Sequence, residues 1–215
     1  MKREELLIVI AQRIAQIQVA HPLRVAIDGI DGAGKTFFAD EIAAVLAAGQ
    51  RQIIRASVDN FHRPSRKRYA LGRLSPQGYY QDAFDYPQLI AHLLAPLGAG
   101  GSRRFRTRIF DHRRDVSEVS PVARAQWDAI LLLDGVFLQR HELNAHVDHS
   151  IYLKVDRPEA LRRAAARDGS STAIDDPLNR RYIDAHGLYF AQCDPEANAD
   201  VLVLNQPLHD PSILR

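Results

Sequence analysis

A chain of 215 residues, 46% of them apolar, is long enough to bury one sizeable hydrophobic core, and we expect a single domain over residues 1–215. Its 28 Lys and Arg residues nearly balance 26 Asp and Glu residues, so the net charge of +2 argues against a nucleic-acid-binding polyelectrolyte. The single cysteine, Cys193, excludes an internal disulfide and a cysteine-rich zinc site, which is typical of a reducing, cytoplasmic compartment.

The first predicted element is an amphipathic helix over residues 6–19, where polar side chains interrupt a stretch too short to span a membrane. Short apolar strands are predicted at residues 23–27, 53–58, 129–133, 151–155 and 201–204, with helical segments such as 36–48 between them. Apolar strands separated by helices are typical of a parallel sheet covered on both faces. The predicted fold class is therefore α/β, with about five strands.

Three further segments carry local signals. Residues 103–110 alternate arginine with Phe105, Thr107 and Ile109, which predicts a half-exposed strand with a basic face. Pro and Gly punctuate residues 64–78, a pattern that predicts a loop over a site. Asp156, followed by a proline and by Glu159, predicts the start of a helix that continues to residue 168.

Residues 29–36 read Gly-Ile-Asp-Gly-Ala-Gly-Lys-Thr and match the phosphate-binding pattern G-x-x-x-x-G-K-[ST], between a predicted strand and a predicted helix. The glycines let backbone N–H groups turn toward the phosphates of ATP, and the following helix adds partial positive charge. Lys35 is predicted to neutralise the β- and γ-phosphates, and Thr36 to ligate Mg²⁺. The predicted cofactor-binding residues are Gly29, Asp31, Gly32, Ala33, Gly34, Lys35, Thr36 and Phe37.

Two aspartates follow predicted strands. Asp134 comes directly after strand 129–133, where a carboxylate can hold the magnesium shell; a turn-forming Asp before Gly135 is the alternative. Asp59 follows strand 53–58, where it could accept the proton of an acceptor hydroxyl; a loop Asx-turn is the alternative. Because the chain contains no Asn-Lys-x-Asp sequence, the guanine-reading element of GTPases, we favour a kinase over a GTPase.

The chain resembles the phosphoribulokinase and uridine kinase family of P-loop kinases, especially its bacterial uridine kinase-like members, over nearly its whole length. The resemblance rests on the phosphate loop and on residues 59–64, 68–69, 75–80, 82–85, 110–112, 134–138 and 199–205, which follow the order of the family. It implies a P-loop NTPase fold with a small helical lid within about residues 156–195. It also implies transfer of the γ-phosphoryl group of ATP to a hydroxyl of a nucleoside such as uridine or cytidine.

The same resemblance implies roles for individual residues. Asp59 becomes the catalytic base, and Lys35, Arg163 and Arg167 become the cations around the transferred phosphoryl group. Arg163 and Arg167 lie four residues apart and share a helix face, whereas Arg162 is expected to point elsewhere; a solvated face paired with acidic neighbours is the alternative. The implied substrate residues are Asp59, His62, Arg68, Tyr79, Asp111 and His112.

The sequence leaves the identity of the phosphoryl acceptor open. Tyr79, Tyr80 and Gln81 stand where nucleoside kinases carry Phe-Asp-His-Pro, so the acid suited to ribose hydroxyls is missing. Another hydroxylated metabolite, such as pantothenate, a sugar or a riboside vitamin, is an alternative acceptor, and a non-catalytic nucleotide-binding regulatory protein is a further alternative. We expect a small-molecule partner and neither nucleic acid nor membrane, with assembly into a homo-oligomer left open.

Overall fold

The computed structural model describes all 215 residues and builds them around a six-stranded sheet. The strands of this sheet are β1 (Leu23–Gly29), β2 (Ile53–Ser57), β7 (Ile130–Asp134), β8 (His149–Lys154), β9 (Val201–Leu204) and β10 (Ser212–Ile213). Two-residue strands β3 (Arg104–Phe105), β4 (Phe110–Asp111), β5 (Val116–Ser117) and β6 (Ala123–Arg124) form two small hairpin-like pairs beside it. The α/β prediction is confirmed, with a short sixth strand at one edge.

Eight helices accompany the strands. They are α1 (Arg3–Gln16), α2 (Lys35–Leu46), α3 (Ser65–Arg68), α4 (Pro76–Asp82), α5 (Tyr86–Leu89), α6 (Arg157–Asp168), α7 (Pro177–Cys193) and α8 (Pro195–Asn198), and α5 continues into a π-helical turn over Ile90–Leu94. None of the helices is both long and apolar enough to cross a membrane. The helix predicted from Asp156 to residue 168 is present, although the Asp156 side chain accepts a bond from Gln206 instead of capping the helix.

The strand order is β10–β9–β8–β1–β7–β2, and every neighbouring pair is parallel except β9 with β10. Side chains of successive strand residues point to opposite faces, so each central strand contributes to two apolar layers. On β7, Ile130 and Leu132 pack with α1 and α2, whereas Leu131 and Leu133 pack with α4, α5 and α7. Burial on both faces explains why these strands read as continuous apolar runs.

The sheet register brings three functional segments to one edge. Asp134 at the end of β7 lies opposite Ile27 on β1 and opposite Ser57 on β2. The phosphate loop follows β1, and Asp59 follows β2, so all three segments emerge at the carboxyl ends of adjacent parallel strands. Ligands of open α/β sheets bind at this edge.

Two predicted segments differ from the structure. Residues 103–110 do not form one strand, because the backbone N–H groups of Thr107 and Arg108 bond to the Ser120 hydroxyl instead of a neighbouring strand. Only their two ends pair, as β3 and β4. Residues 64–78 are not a continuous loop either: helix α3 and the start of α4 lie within them, and Ser75 caps α4 by accepting a bond from the Gly78 N–H.

Candidate active site

A cleft of about 1400 Å³ opens at the carboxyl edge of the sheet. The predicted site residues that line it are Asp31, Gly32, Gly34, Lys35, Thr36, Phe37, Asp59, Tyr79, Asp111, His112, Asp134, Arg163 and Arg167. His62, Arg68, Gly29 and Ala33 do not line it. The structure therefore brings most of the predicted donor and acceptor residues into one volume.

The phosphate loop joins β1 to α2 by a backbone that needs glycine. Gly32 and Gly34 have φ values of 80° and 86°, in the left-handed region that residues with a Cβ seldom adopt. A Cβ on Gly32 would lie 2.1 Å from the carbonyl oxygen of Ala160 on α6. Helix α2 begins at Lys35, as predicted, and the Lys35 ammonium donates to the Ile30 carbonyl at 2.8 Å across the loop.

The loop has the donors that phosphate groups require. The backbone N–H groups of Gly32, Gly34, Lys35 and Thr36 form no hydrogen bond within the protein, and the last two begin the twelve-residue helix α2. Nη1 of Arg163 is buried without a partner and lies beside Gly34. Unsatisfied N–H groups around one cradle fit the phosphates of ATP.

The two predicted magnesium ligands, Thr36 and Asp134, are in contact. The Thr36 hydroxyl donates to Oδ2 of Asp134 at 2.8 Å, and Asp134 is 2% exposed. Hydroxyl and carboxylate oxygens are ligands that suit Mg²⁺, which commonly uses few protein ligands beside water and phosphate oxygens. The second oxygen of Asp134 accepts from Arg55 at 2.9 Å, a contact that the sequence did not predict.

Asp31 fastens the phosphate loop to two helices. Its carboxylate accepts from the Tyr79 hydroxyl of α4 at 3.2 Å and contacts Nε2 of His186 of α7 at 3.0 Å. Burial alone would raise the pKa of Asp31, but the His186 hydrogen bond and the charges of His186 and Lys35 lower it to about 2. Asp31 therefore stays ionised and positions the loop.

Asp59 differs from every other carboxylate that lines the cleft. Asp31, Glu41, Asp111, Asp134 and Asp168 each accept hydrogen bonds from protein groups. Only the backbone atoms of Asp59 form hydrogen bonds, so its carboxylate is open to the cleft. Although Asp59 is exposed within the cleft, the surrounding walls limit its contact with bulk water and raise the pKa of Asp59, an effect that His112, Lys35 and Arg167 oppose through their charge.

The predicted acceptor residues lie on the wall next to Asp59. His112 stacks on His62 with ring centroids 4.6 Å apart, and His62 Nδ1 contacts the Asp59 carbonyl at 2.8 Å. Burial lowers the pKa of His62 to about 3, so this ring is neutral near pH 7. Backbone hydrogen bonds from Arg114 and Arg113 lower the pKa of Asp111. His62 thus packs on the side of the His112 ring that is away from the cleft, while His112 and Asp111 line the cleft.

Arg68 lies away from the cleft. Its guanidinium donates to Asp115 at 2.8 Å and to the His112 carbonyl at 3.4 Å, and only 7% of the residue is exposed. The structure therefore places Arg68 behind the acceptor wall and not in direct reach of the cleft.

Helix α6 carries three arginines along the cleft. Arg163 donates to Glu159 at 2.7 Å and to the Asn205 carbonyl at 3.0 Å, and Arg167 pairs with Asp168 at 2.7 Å. The expectation that Arg162 points elsewhere is wrong, because Arg162 also lines the cleft and shares Glu159 with Arg163. Two hydrogen bonds to Glu159, one turn earlier on the helix, hold the Arg162 guanidinium beside Arg163, a contact that a helical-wheel argument does not capture.

Several cleft residues escaped the sequence reasoning. Arg3 of α1 pairs with Glu41 at 2.5 Å and donates to Asn205 at 2.9 Å, and its guanidinium also donates to the carbonyl of Leu208, which lines the cleft with it. Arg108 also lines the cleft and donates to Asn60 at 3.2 Å. These residues meet only through tertiary folding. For Arg55 and Arg108, the one local signal is that each falls on or near a predicted strand.

Comparison with known proteins found no match among protein-family models and none among curated proteins. Solved structures do match. A possible uridine kinase from Bacillus stearothermophilus aligns at a TM-score of 0.72 and 23% identity, covering 93% of this chain and 96% of that chain. A candidate fructose transport system kinase from Silicibacter sp. TM1040 aligns at 0.69 and 22%, covering 90% and 96%.

A more distant structure extends the same likeness. D-glycerate 3-kinase from Cryptococcus neoformans aligns at a TM-score of 0.53 and 12% identity, covering 89% of this chain and 87% of that chain. At these identities the likeness concerns the fold. The chain therefore has the fold of the uridine kinase-like P-loop kinases, in agreement with the resemblance in its sequence motifs.

Proposed function

We propose that this chain is an ATP-dependent kinase that transfers the γ-phosphoryl group of ATP to a hydroxyl group of a small molecule. The observation that carries the proposal is the open Asp59 carboxylate in the same cleft as the phosphate loop and the Thr36–Asp134 pair. Phosphoryl transfer depends mainly on alignment and charge stabilisation. A cleft that combines a phosphate-binding loop, two candidate magnesium ligands and a carboxylate without a protein donor supports this chemistry.

On the donor side, the unpaired N–H groups of the loop and the Lys35 ammonium would bind the ATP phosphates. Thr36 and Asp134 would hold Mg²⁺, which when bound neutralises phosphate charge and orients the γ-phosphoryl group. Arg55 pairs with the other carboxylate oxygen of Asp134 at 2.9 Å and so fixes the carboxylate beside Thr36. Phe37 and Leu208 offer apolar surface for the nucleotide base.

On the acceptor side, Asp59 would accept the proton of the attacking hydroxyl. A raised pKa brings its basicity closer to the operating pH, and the carboxylate has no competing protein donor. Arg163 and Arg167 would stabilise the negative charge on the migrating phosphoryl group. Arg163 already has one buried nitrogen free beside the loop, whereas Arg167 would have to exchange Asp168 for phosphate.

Closure of the cleft is part of the proposal. Helices α6 and α7 lie within the region 156–195 that the family resemblance implies as a lid, and α6 carries three of the arginines that line the cleft. Movement of these helices toward Asp59 would exclude water from the transferred group.

The acceptor class has two candidates. A nucleoside such as uridine or cytidine follows from the sequence motifs and from the possible uridine kinase among the structural neighbours. The segment Tyr79-Tyr80-Gln81 supports another hydroxylated metabolite as the acceptor. Tyr79 and Tyr80 are buried, and the segment contains no carboxylate that could bind ribose hydroxyls in the cleft. Fructose transport and D-glycerate kinases among the neighbours agree with a wider range of acceptors.

A phosphorylation assay against a metabolite panel, read by mass spectrometry, tests the proposal. With ATP and Mg²⁺ we expect one acceptor class to gain a phosphoryl group, and Lys35→Met to abolish transfer without unfolding the protein. ATP binding with no transfer to any acceptor in a panel of nucleosides, sugars, hydroxy acids and pantothenate would support the non-catalytic alternative.

A further inference from the structure

The start of helix α7 contains a buried arginine that the proposed mechanism does not use. Arg181 is 7% exposed and continues the buried stripe of α7 formed by Ala185 and Tyr189. Its neighbour Arg180 is on the opposite, exposed side and pairs with Asp184 at 3.0 Å. Two adjacent arginines on one helix therefore have opposite environments.

Arg181 contacts aromatic rings and no carboxylate. Its guanidinium carbon lies 4.8 Å from the centre of the Tyr79 ring, 5.3 Å from that of Tyr182 and 5.4 Å from that of Tyr69. Its Nε is buried without a hydrogen bond. The terminal nitrogens form no hydrogen bond with the protein either, but unlike Nε they are not fully buried.

A buried cation without an anion is unfavourable, because the interior replaces little of the water that the charge loses. Contact with tyrosine faces offsets part of this cost but leaves the N–H donors unsatisfied. Arginines kept in such an environment are suited to a planar oxyanion, which binds two parallel N–H groups at once.

The surroundings of Arg181 add positive charge. Arg68 and Arg73 lie 5.4 and 4.9 Å from the same Tyr69 ring, and Arg68 also has a buried Nε without a partner. Asp115 is the single carboxylate paired with this group of arginines. The region around Tyr69 therefore has two arginines with unsatisfied buried nitrogens and an excess of cationic charge.

Tyr79 connects this region to the cleft. One face of its ring contacts Arg181, and its hydroxyl donates to Asp31 of the phosphate loop while the residue lines the cleft. Arg181 is thus one aromatic ring away from the acceptor side. Arg181 does not itself line the cleft, so a group attached to an acceptor whose hydroxyl faces Asp59 reaches Arg181 only when the Tyr79 side chain moves aside.

We propose that the acceptor carries an oxyanion, a carboxylate or a phosphate, in addition to the hydroxyl that is phosphorylated, and that Arg181 binds this anion. The inference rests on the proposed kinase function and narrows its substrate class to anionic hydroxylated metabolites. Hydroxy acids and sugar phosphates satisfy it, whereas a neutral nucleoside or sugar leaves the Arg181 donors unpaired.

Matched acceptor pairs test the proposal: glycerate against glycerol, pantothenate against panthenol, and ribose 5-phosphate against ribose. For the accepted scaffold we expect the wild-type kcat/KM to be at least about 100-fold higher for the anionic member, since an unpaired buried donor discriminates strongly. The carboxylate and phosphate pairs distinguish the two sources of the anion. Equal use of both members of every accepted pair would overturn the proposal.

Variants separate binding from structure. Arg181→Gln should lower kcat/KM for the anionic acceptor about 100-fold, mainly through KM, and leave the neutral acceptor unchanged. Arg181→Lys should recover part of the loss, and the control Arg180→Gln should have no effect. The melting temperature of Arg181→Gln and Arg181→Met should not fall, because removal of an unpaired buried charge relieves strain. A lower melting temperature with equal losses for both acceptors would show that Arg181 is structural.

The two proposals fail differently. If the wild type phosphorylates no member of any pair and no other acceptor in the metabolite panel, nucleosides included, the kinase function fails. If it phosphorylates neutral acceptors and Arg181→Gln is as active as the wild type, the kinase function stands and the anion site is refuted.

Discussion

At the scale of single residues, the cleft assigns different states to chemically identical groups. Asp31 is ionised by His186 and Lys35 with a pKa of about 2, and Asp134 is held by Thr36 and Arg55. Asp59 has no such partner, and its pKa is raised by the loss of water around it. Separation of carboxylates by environment is the usual basis for dividing roles between them.

Replacement of Asp59 by Asn should lower kcat by about 10²- to 10⁴-fold, because the amide cannot accept the hydroxyl proton. The Kd for ATP should be unchanged, since Asp59 does not belong to the phosphate loop. Steady-state kinetics and calorimetric titration of ATP measure the two quantities. As a comparison, Asp111→Asn should act on the acceptor KM more than on kcat. Transfer within tenfold of the wild-type rate would remove Asp59 from the role of base.

The pH profile gives a second readout for the same residue. A general base works when ionised, so kcat/KM should fall as the pH is lowered through the Asp59 pKa. Since this pKa is raised, the acidic limb should lie above the usual range of an aspartate. The limb should be missing from the residual activity of Asp59→Asn. An unchanged limb in that variant would assign it to another group.

At the scale of elements, the phosphate loop and α6 depend on close approach. Gly32 combines φ of 80° with the Ala160 carbonyl oxygen 2.1 Å from the position of a Cβ. Only glycine allows the loop to turn and α6 to pack on it at the same time. The arginines of α6 reach the loop as a consequence.

Gly32→Ala should therefore lower the free energy of unfolding by about 1–3 kcal/mol and weaken ATP binding, because both the backbone and α6 must shift. Gly187→Ala is the matched control: this residue lies within α7, and a Cβ there meets nothing within 4 Å. The control should raise the free energy of unfolding by about 0.5–1 kcal/mol. Urea unfolding and ATP titration of both variants check the pair. Equal effects of the two substitutions would contradict the role of Gly32.

At the scale of the whole molecule, a buried ion pair joins β1 to the segment before β8 at the edge opposite the cleft. Arg24 donates to both oxygens of Asp148, at 2.9 and 2.7 Å, and their side chains are only 8% and 13% exposed. Burial acts to raise the pKa of Asp148, but the hydrogen bonds and charge of Arg24 lower it overall. The pair stabilises the sheet without touching the proposed chemistry.

Asp148→Asn should lower the free energy of unfolding by about 3–5 kcal/mol, because Arg24 stays buried without its charge partner. Since the folded-state pKa of Asp148 is lowered, the wild-type advantage is complete above the unfolded pKa and is lost as the pH falls through the folded one. Urea unfolding at several pH values should show the two proteins converging in acid. The exposed pair Arg180–Asp184 is the control, and its loss should cost less than about 1 kcal/mol. An unchanged Asp148→Asn protein would contradict the role of the pair.

The sequence by itself determined the donor half of the site. Residues 29–36 are contiguous, and glycine at fixed positions dictates the loop backbone and the start of α2 at Lys35. Apolar strand runs separated by helices also determined the α/β class, because local periodicity reflects burial on two faces. The alternation of arginines over residues 103–110 led to a wrong prediction of one continuous strand, because the Ser120 hydroxyl takes the place of a partner strand there.

Only the tertiary structure decided the acceptor half. Asp59, Tyr79, His112 and Arg181 come from four separate segments, and no local pattern specifies their distances. Arg68, a substrate candidate in the sequence, pairs with Asp115 in the structure. Arg181 is surrounded by tyrosines because α7 packs on α4. Burial and pairing of a charge depend on all the elements around it. The sequence could therefore name Asp59, Tyr79 and His112, but it did not identify Arg181 and could not state which side chain is free to bind a ligand.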